Sequence, residues 1–176
     1  SEKNYFSFDD QSMLKINEAT KSFAGIVAVD KCSFEIKQGT ISALIGPNGA
    51  GKTTLFNCIS RILHIDSGQI FYNNHRLDLM PTHKIARLGI GRSFQITRTL
   101  DQLSVTENLV LHTAGGIGSH LFHQDITPEN RLKACEVMEF LGISTLADVD
   151  MGELSFGQKK LLDLGAVLMA DPDLIL

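Results

Sequence analysis

The chain has 176 residues, 43% hydrophobic and 20% charged, with a net charge of −4. That balance describes one globular domain with a sizeable core, and it excludes a disordered chain. It also gives no electrostatic reason to expect nucleic acid or anionic lipid as a main partner.

Cys32, Cys58 and Cys135 lie far apart with no C-x-x-C between them, so neither a zinc site nor a disulfide framework is indicated and a reducing cytoplasm fits. The first residues lack the apolar core of a signal peptide. No apolar stretch approaches the ~20 residues of a spanning helix, so work at a membrane would need another chain.

In chain order, residues 13–16 alternate enough for a first strand, and Cys32-Ser33-Phe34-Glu35-Ile36 has the alternation of a half-exposed strand. Phe23 falls in a loop between them. An aromatic there either packs in the core or stacks on a nucleotide base, and the residues alone favour the core. The turn Lys37-Gln38-Gly39-Thr40 then feeds Ile41-Ser42-Ala43-Leu44-Ile45, read as a buried strand. Two exposed-looking strands before a buried one suggest an antiparallel layer ahead of a parallel core.

Next comes Gly46-Pro47-Asn48-Gly49-Ala50-Gly51-Lys52-Thr53-Thr54, which fits G-x-x-x-x-G-K-[ST] at every fixed position. An apolar run precedes it and a helix-like run, Leu55-Phe56-Asn57-Cys58-Ile59, follows, which is the context this motif requires. The glycines let backbone N–H groups turn inward around phosphate oxygens, and the helix start adds its positive dipole end at the same point. Lys52 is positioned to reach the β and γ phosphates, Thr53 to give a hydroxyl to Mg²⁺ and Thr54 to bond the α phosphate.

Asp66-Ser67-Gly68 marks a turn, residues 69–72 a short strand, and Asn73-Asn74 a turn back. Pro81-Thr82 opens a short helix to Leu88, and residues 88–95 read as a strand ending at Gln95. From residue 96 to 146 the pattern becomes helical. One helix covers residues 106–111, and Gly115-Gly116-Ile117-Gly118-Ser119 breaks it. A longer helix runs from the N-cap Thr127, with Pro128 and Glu129 in its first turn, to Leu141, closed by Gly142. Leu154-Ser155-Phe156-Gly157-Gln158 then leads a helical run through Ala170. Serine and glycine at a helix mouth suit an anion, but a plain helix cap explains them better. The chain ends in Leu174-Ile175-Leu176, the opening of a buried strand.

These stretches together resemble the nucleotide-binding subunit of ABC transporters. Residues 46–54 resemble its Walker A loop, Gln95 its Q-loop glutamine, residues 154–158 its L-S-G-G-Q signature, and residues 174–176 the apolar start of its Walker B strand. Residues 89–95 and 103–109, with Phe156 in the signature, further resemble the branched-chain amino acid and urea uptake branch. The resemblance implies an α/β fold, a P-loop NTPase of ABC type with a mostly parallel core sheet, an antiparallel β layer and a helical subdomain. The expected divisions are 1–95 for the P-loop core and β layer, 96–153 for the helical subdomain and 154–176 for the signature helix and Walker B start.

The implied function is ATP binding and hydrolysis coupled to import of a small polar solute such as a branched-chain amino acid. ATP and Mg²⁺ are the implied cofactors. Phe23 takes the place of the aromatic that stacks on adenine, against its reading as core. Asn48, Gly49, Ala50, Gly51, Lys52, Thr53 and Thr54 hold the phosphates, Thr53 and Gln95 hold Mg²⁺, and Lys52 and Gln95 serve catalysis. Ser155, Gly157 and Gln158 contact the γ phosphate held by a second ATP-binding subunit. Phe156 replaces a family glycine, which puts close backbone approach there in doubt.

The other implied partners are integral membrane permease subunits and, indirectly, an extracytoplasmic solute-binding protein. That places the chain on the inner face of the cell membrane. The sequence as it stands is expected to lack the Walker B Asp, the catalytic Glu and the switch histidine, so that little turnover is expected of it alone. The corresponding alternative is a nucleotide-binding module without turnover. A soluble ABC protein of repair or translation fits less well, and so does a GTPase, since N-K-x-D and D-x-x-G are absent. His120 and His123, three apart, are read as surface residues rather than metal ligands.

Overall fold

A computed structural model describes residues 12–93, 101–113 and 127–176, the side chain of Ala86 excepted. These fall into two compact units that divide after Leu88.

The first unit is built on a long hairpin, β1 (Ser12–Phe23) and β2 (Ile26–Lys37). Ala24 and Gly25 join the strands, both in the left-handed region at φ 45° and 87°, as the favoured two-residue hairpin turn demands. Leu14, Ile16 and Ala19 of β1 are almost wholly buried. Helix α1 (Lys52–Ile59) buries Leu55, Cys58 and Ile59, the spacing that puts three side chains on one helical face.

Strand β3 (Ser67–Tyr72) runs antiparallel to β1, with Leu14 opposite Tyr72 and Ile16 opposite Ile70. Asn73 and Asn74, again left-handed at φ 42° and 66°, turn it into the two-residue β4 (His75–Arg76). The strand order is β2-β1-β3-β4. A 3-10 turn (Leu77–Leu79), α2 (Thr82–Ile85) and a second 3-10 turn (Ala86–Leu88) complete the unit.

One expected element takes a different form. Residues 41–45 belong to no strand and are exposed throughout, Ile41 and Ile45 fully so. A buried strand needs neighbours for its backbone groups and for both faces, and among the described residues no strand pairs with this run.

In the second unit β5 (Ile90–Gly91) lies parallel to the chain's last strand, β6 (Leu174–Ile175). Between them in sequence stand α3 (Val105–Val110), α4 (Pro128–Phe140) and α5 (Phe156–Leu168). Each has a side-chain cap. Ser104 forms a reciprocal capping box with Glu107, Thr127 accepts from the Asn130 N–H, and Pro128 fills the first turn of α4. The helices share a core of Val105, Leu109, Ala134, Met138, Leu162 and Met169. Gly165 of α5 allows close approach, because a Cβ there would stand 3.0 Å from Leu109 and 3.1 Å from Leu141. The expected helices at 106–111 and 127–141 are both present. The expected break at 115–119 lies outside the described residues.

The buried acid of the first unit is Asp78. Its Oδ1 accepts the N–H of fully buried Ile70 at 3.0 Å and its Oδ2 accepts from Arg76 Nη2 at 2.5 Å. Burial pushes the carboxyl up, but Arg76 and the Ile70 N–H outweigh it and hold it below the usual carboxylate range. Because the folded value is the lowered one, the contribution is present above about pH 3.9 and is lost as pH falls through the folded value. Asp78→Ala should destabilise the chain by about 1–3 kcal/mol at pH 7, since it orphans a buried N–H. Urea titrations at pH 7 and pH 3 should show the gap between the two proteins narrowing in acid.

Candidate functional site

The loop before α1 is irregular and tight. The Ala50 N–H donates to the Pro47 carbonyl at 3.2 Å, and both Gly49 and Gly51 are left-handed, at φ 85° and 81°. Gly51 is the N-cap of α1. A Cβ there would lie 2.0 Å from the Ala28 carbonyl oxygen of β2, so backbone conformation and space both demand glycine. Gly49 faces open space on that side, with nothing within 4 Å of an added Cβ.

Helix α1 has no acidic side chain in its first turn, so its positive end is not offset locally. Lys52, its first residue, curls over the loop and donates from Nζ to the carbonyls of Gly46 at 2.6 Å and Pro47 at 2.7 Å. The ammonium is thus held above the loop that bears the backbone donors. Thr53 is exposed at the second helical position and Thr54 half-buried at the third, while Asn48 and Ala50 are exposed on the loop. A glycine turn, a helix start and a lysine, with no carboxylate in the first turn, make an arrangement chemically able to receive a polyanion.

Phe23 is not a core residue. It is 43% exposed at the end of β1, beside Ile26 and Val27 of β2, which are more exposed still. The hairpin ends there, so among the described residues no further strand covers the ring. Phe23 lies opposite Ile26, and Ala28, against which Gly51 packs, is two residues further along β2. Roughly 7 Å of strand therefore separates the hairpin end from the base of the phosphate loop.

In the second unit Ser155 caps α5 in a reciprocal box. Its N–H donates to Gln158 Oε1 at 2.8 Å, and its Oγ accepts the Gln158 N–H at 3.3 Å. The cap foreseen for Ser155 is present, and it also occupies the carbonyl end of Gln158. Gly157 is exposed with nothing within 4 Å of an added Cβ. Phe156 is 78% exposed and carries the Lys160 ammonium 5.6 Å from its ring centre. Gln95, His120 and His123 lie outside the described residues. Among the described residues no cluster of three or more His, Cys, Asp or Glu is arranged for a metal.

Reading the sequence missed two groups. Lys21 and Asp66 stand at Phe23, brought there by strand pairing across 45 residues, and Asp163 is buried beneath Lys160 at 3.3 Å. Only the second carried a local signal, the i, i+3 spacing on a helix.

The family described as ABC transporter matches residues 29–176. The chain belongs to the ABC transporter family. It is 35% identical over 170 residues to a probable branched-chain amino acid transport ATP-binding protein LivG of Archaeoglobus fulgidus, covering 93% of this chain and 66% of that protein. It is 30% identical over 174 residues to the high-affinity branched-chain amino acid transport ATP-binding protein LivG of Salmonella typhimurium, covering 94% and 68%. The chain thus spans about two thirds of the length of the curated relatives it matches.

Two solved structures, each 34% identical, cover 93% of this chain and 67% of their own. One is a nucleotide-free ATP-binding cassette from an ABC transporter at TM-score 0.79. The other is the ADP conformation of an ATP-binding cassette of an ABC transporter at TM-score 0.81. The fold is therefore the α/β P-loop NTPase fold of ABC cassettes. Among the described residues no helix is long and apolar enough to cross a membrane.

Two ABC-family glycines should respond oppositely to alanine. Gly51→Ala should lower stability by about 2–3 kcal/mol or more, through a backbone clash and a left-handed φ. Gly157→Ala, in open space within α5, should be neutral or stabilising by up to about 1 kcal/mol. Thermal melts of the two variants beside the parent check both.

Proposed function

We propose that this chain is the ATP-binding part of an ABC importer for a small polar solute, with branched-chain amino acids the leading class. The observation that carries it is the loop at residues 46–51, with left-handed Gly49 and Gly51 and Lys52 folded over its mouth. The branched-chain amino acid names of its relatives support the solute class.

In this reading the backbone N–H groups of residues 48–52 and the start of α1 take the phosphates. Lys52 exchanges the Gly46 and Pro47 carbonyls for phosphate oxygens, a swap of neutral acceptors for charged ones that strengthens each bond. Phe23 takes the adenine on its exposed ring. Thr53, exposed on α1, and Gln95 would hold Mg²⁺, which would supply charge neutralisation for the phosphates. Ser155, Gly157 and Gln158 meet the γ phosphate of a second ATP-binding subunit. The exposed, open mouth of α5 is compatible with that role, and Phe156, which replaces the family glycine, is itself exposed, with its ring against the Lys160 ammonium.

Hydrolysis coupled to transport is the proposed activity. The alternative of a binding module without turnover finds no support among the relatives, which are named as transport ATP-binding proteins. Integral membrane permease subunits are the proposed docking partners, holding the chain at the inner face of the cell membrane. A solute-binding protein outside would take part only indirectly.

Calorimetric titration with Mg-ATP tests the loop. The parent chain should bind, and Lys52→Ala should weaken binding about tenfold or more, the worth of hydrogen bonds to a charged group. Equal affinity in a folded Lys52→Ala chain would remove the phosphate loop from the proposal.

A further inference from the structure

We propose that Lys21 and Asp66 are positioning residues that hold the Phe23 ring for base stacking, Lys21 backing one face of the ring so that the nucleotide base takes the other. The proposal rests on the base-stacking role given to Phe23 above and adds what sets that ring's orientation and the face it offers.

Three observations place the device. The Lys21 ammonium sits 5.4 Å from the centre of the Phe23 ring, inside the ~6 Å range of a cation–π contact. The same ammonium donates to Asp66 Oδ1 at 2.6 Å, and the Lys21 side chain is only 15% exposed. Asp66 is itself fixed at three points: its Oδ2 accepts the Ser22 N–H at 2.6 Å, its Oδ1 takes Lys21, and its own N–H donates to the Thr20 carbonyl at 2.8 Å. The Lys21 ion pair and the Ser22 N–H also keep the Asp66 carboxyl below the usual carboxylate range, so it stays charged at neutral pH.

The chain of contacts runs from a turn ahead of β3, through β1, to an exposed aromatic at the hairpin end. An exposed phenylalanine at a strand end would otherwise sample several rotamers, and binding a base would have to fix one of them. Held by Lys21, the ring is presented in advance. The cation also draws electron density toward the face it covers. The opposite face is thereby made a better partner for an electron-rich purine.

The test compares two probes on the 176-residue chain, Mg-ATP and Mg-tripolyphosphate, by calorimetry, with far-ultraviolet circular dichroism to verify folding. Tripolyphosphate reads the phosphate loop alone, and ATP reads loop and base together. Lys21→Met should weaken Mg-ATP about two- to fivefold, the size of a partly exposed cation–π contact, while leaving tripolyphosphate unchanged, and Lys21→Arg should restore most of the loss. Asp66→Asn, which keeps the lysine but releases it, should give an intermediate loss and serves if Lys21→Met folds poorly. Phe23→Ala anchors the comparison. If it weakens ATP selectively while Lys21→Met and Asp66→Asn do not, the positioning role is overturned and base stacking stands. If Phe23→Ala itself leaves the ratio of the two affinities unchanged, both fall.

Discussion

The contact on which the first unit depends is between two backbones. Gly51 meets the Ala28 carbonyl so closely that no side chain fits, and this ties the start of α1 to a fixed point on β2. The helix supplies the dipole and the donors, while the strand supplies the place. Lys52 then folds back on its own loop and bonds to two of that loop's carbonyls.

That single contact also connects chemistry to hairpin. The strand that abuts Gly51 continues to Ile26, opposite Phe23, so the aromatic at the hairpin end and the phosphate loop are set by one piece of backbone. Their separation is a property of strand geometry rather than of side-chain packing. Asp66, arriving from the segment before β3, stitches the same corner from the other side through Thr20, Lys21 and Ser22.

Much of this was legible in the residues. The phosphate loop, the Asn73-Asn74 turn and the caps at Thr127 and Ser155 depend on neighbours within a few positions, and local chemistry decides them. Two readings made from the residues alone failed. The residues of 41–45 have the composition of a buried strand, yet a strand is defined by its partners, and none among the described residues pairs with it. From the residues alone Phe23 looked like core because aromatics usually are, a reading that the family resemblance had already set aside. Its exposure follows from the left-handed Ala24 and Gly25, which end the hairpin one residue later. The Lys21–Asp66 pair joins positions 45 residues apart and had no periodic signature to find.

The order of the antiparallel sheet has a further consequence for how copies of this chain meet. Its outer strands are β2 and β4. The first displays exposed Asp30, Lys31, Glu35 and Lys37 and is joined to β1 through several register shifts that twist it. The second is two residues long. Charge, bulges and brevity are the devices by which natural sheets refuse an added strand. Among the described residues, growth of this sheet by edge-to-edge pairing is therefore disfavoured at its two outer strands.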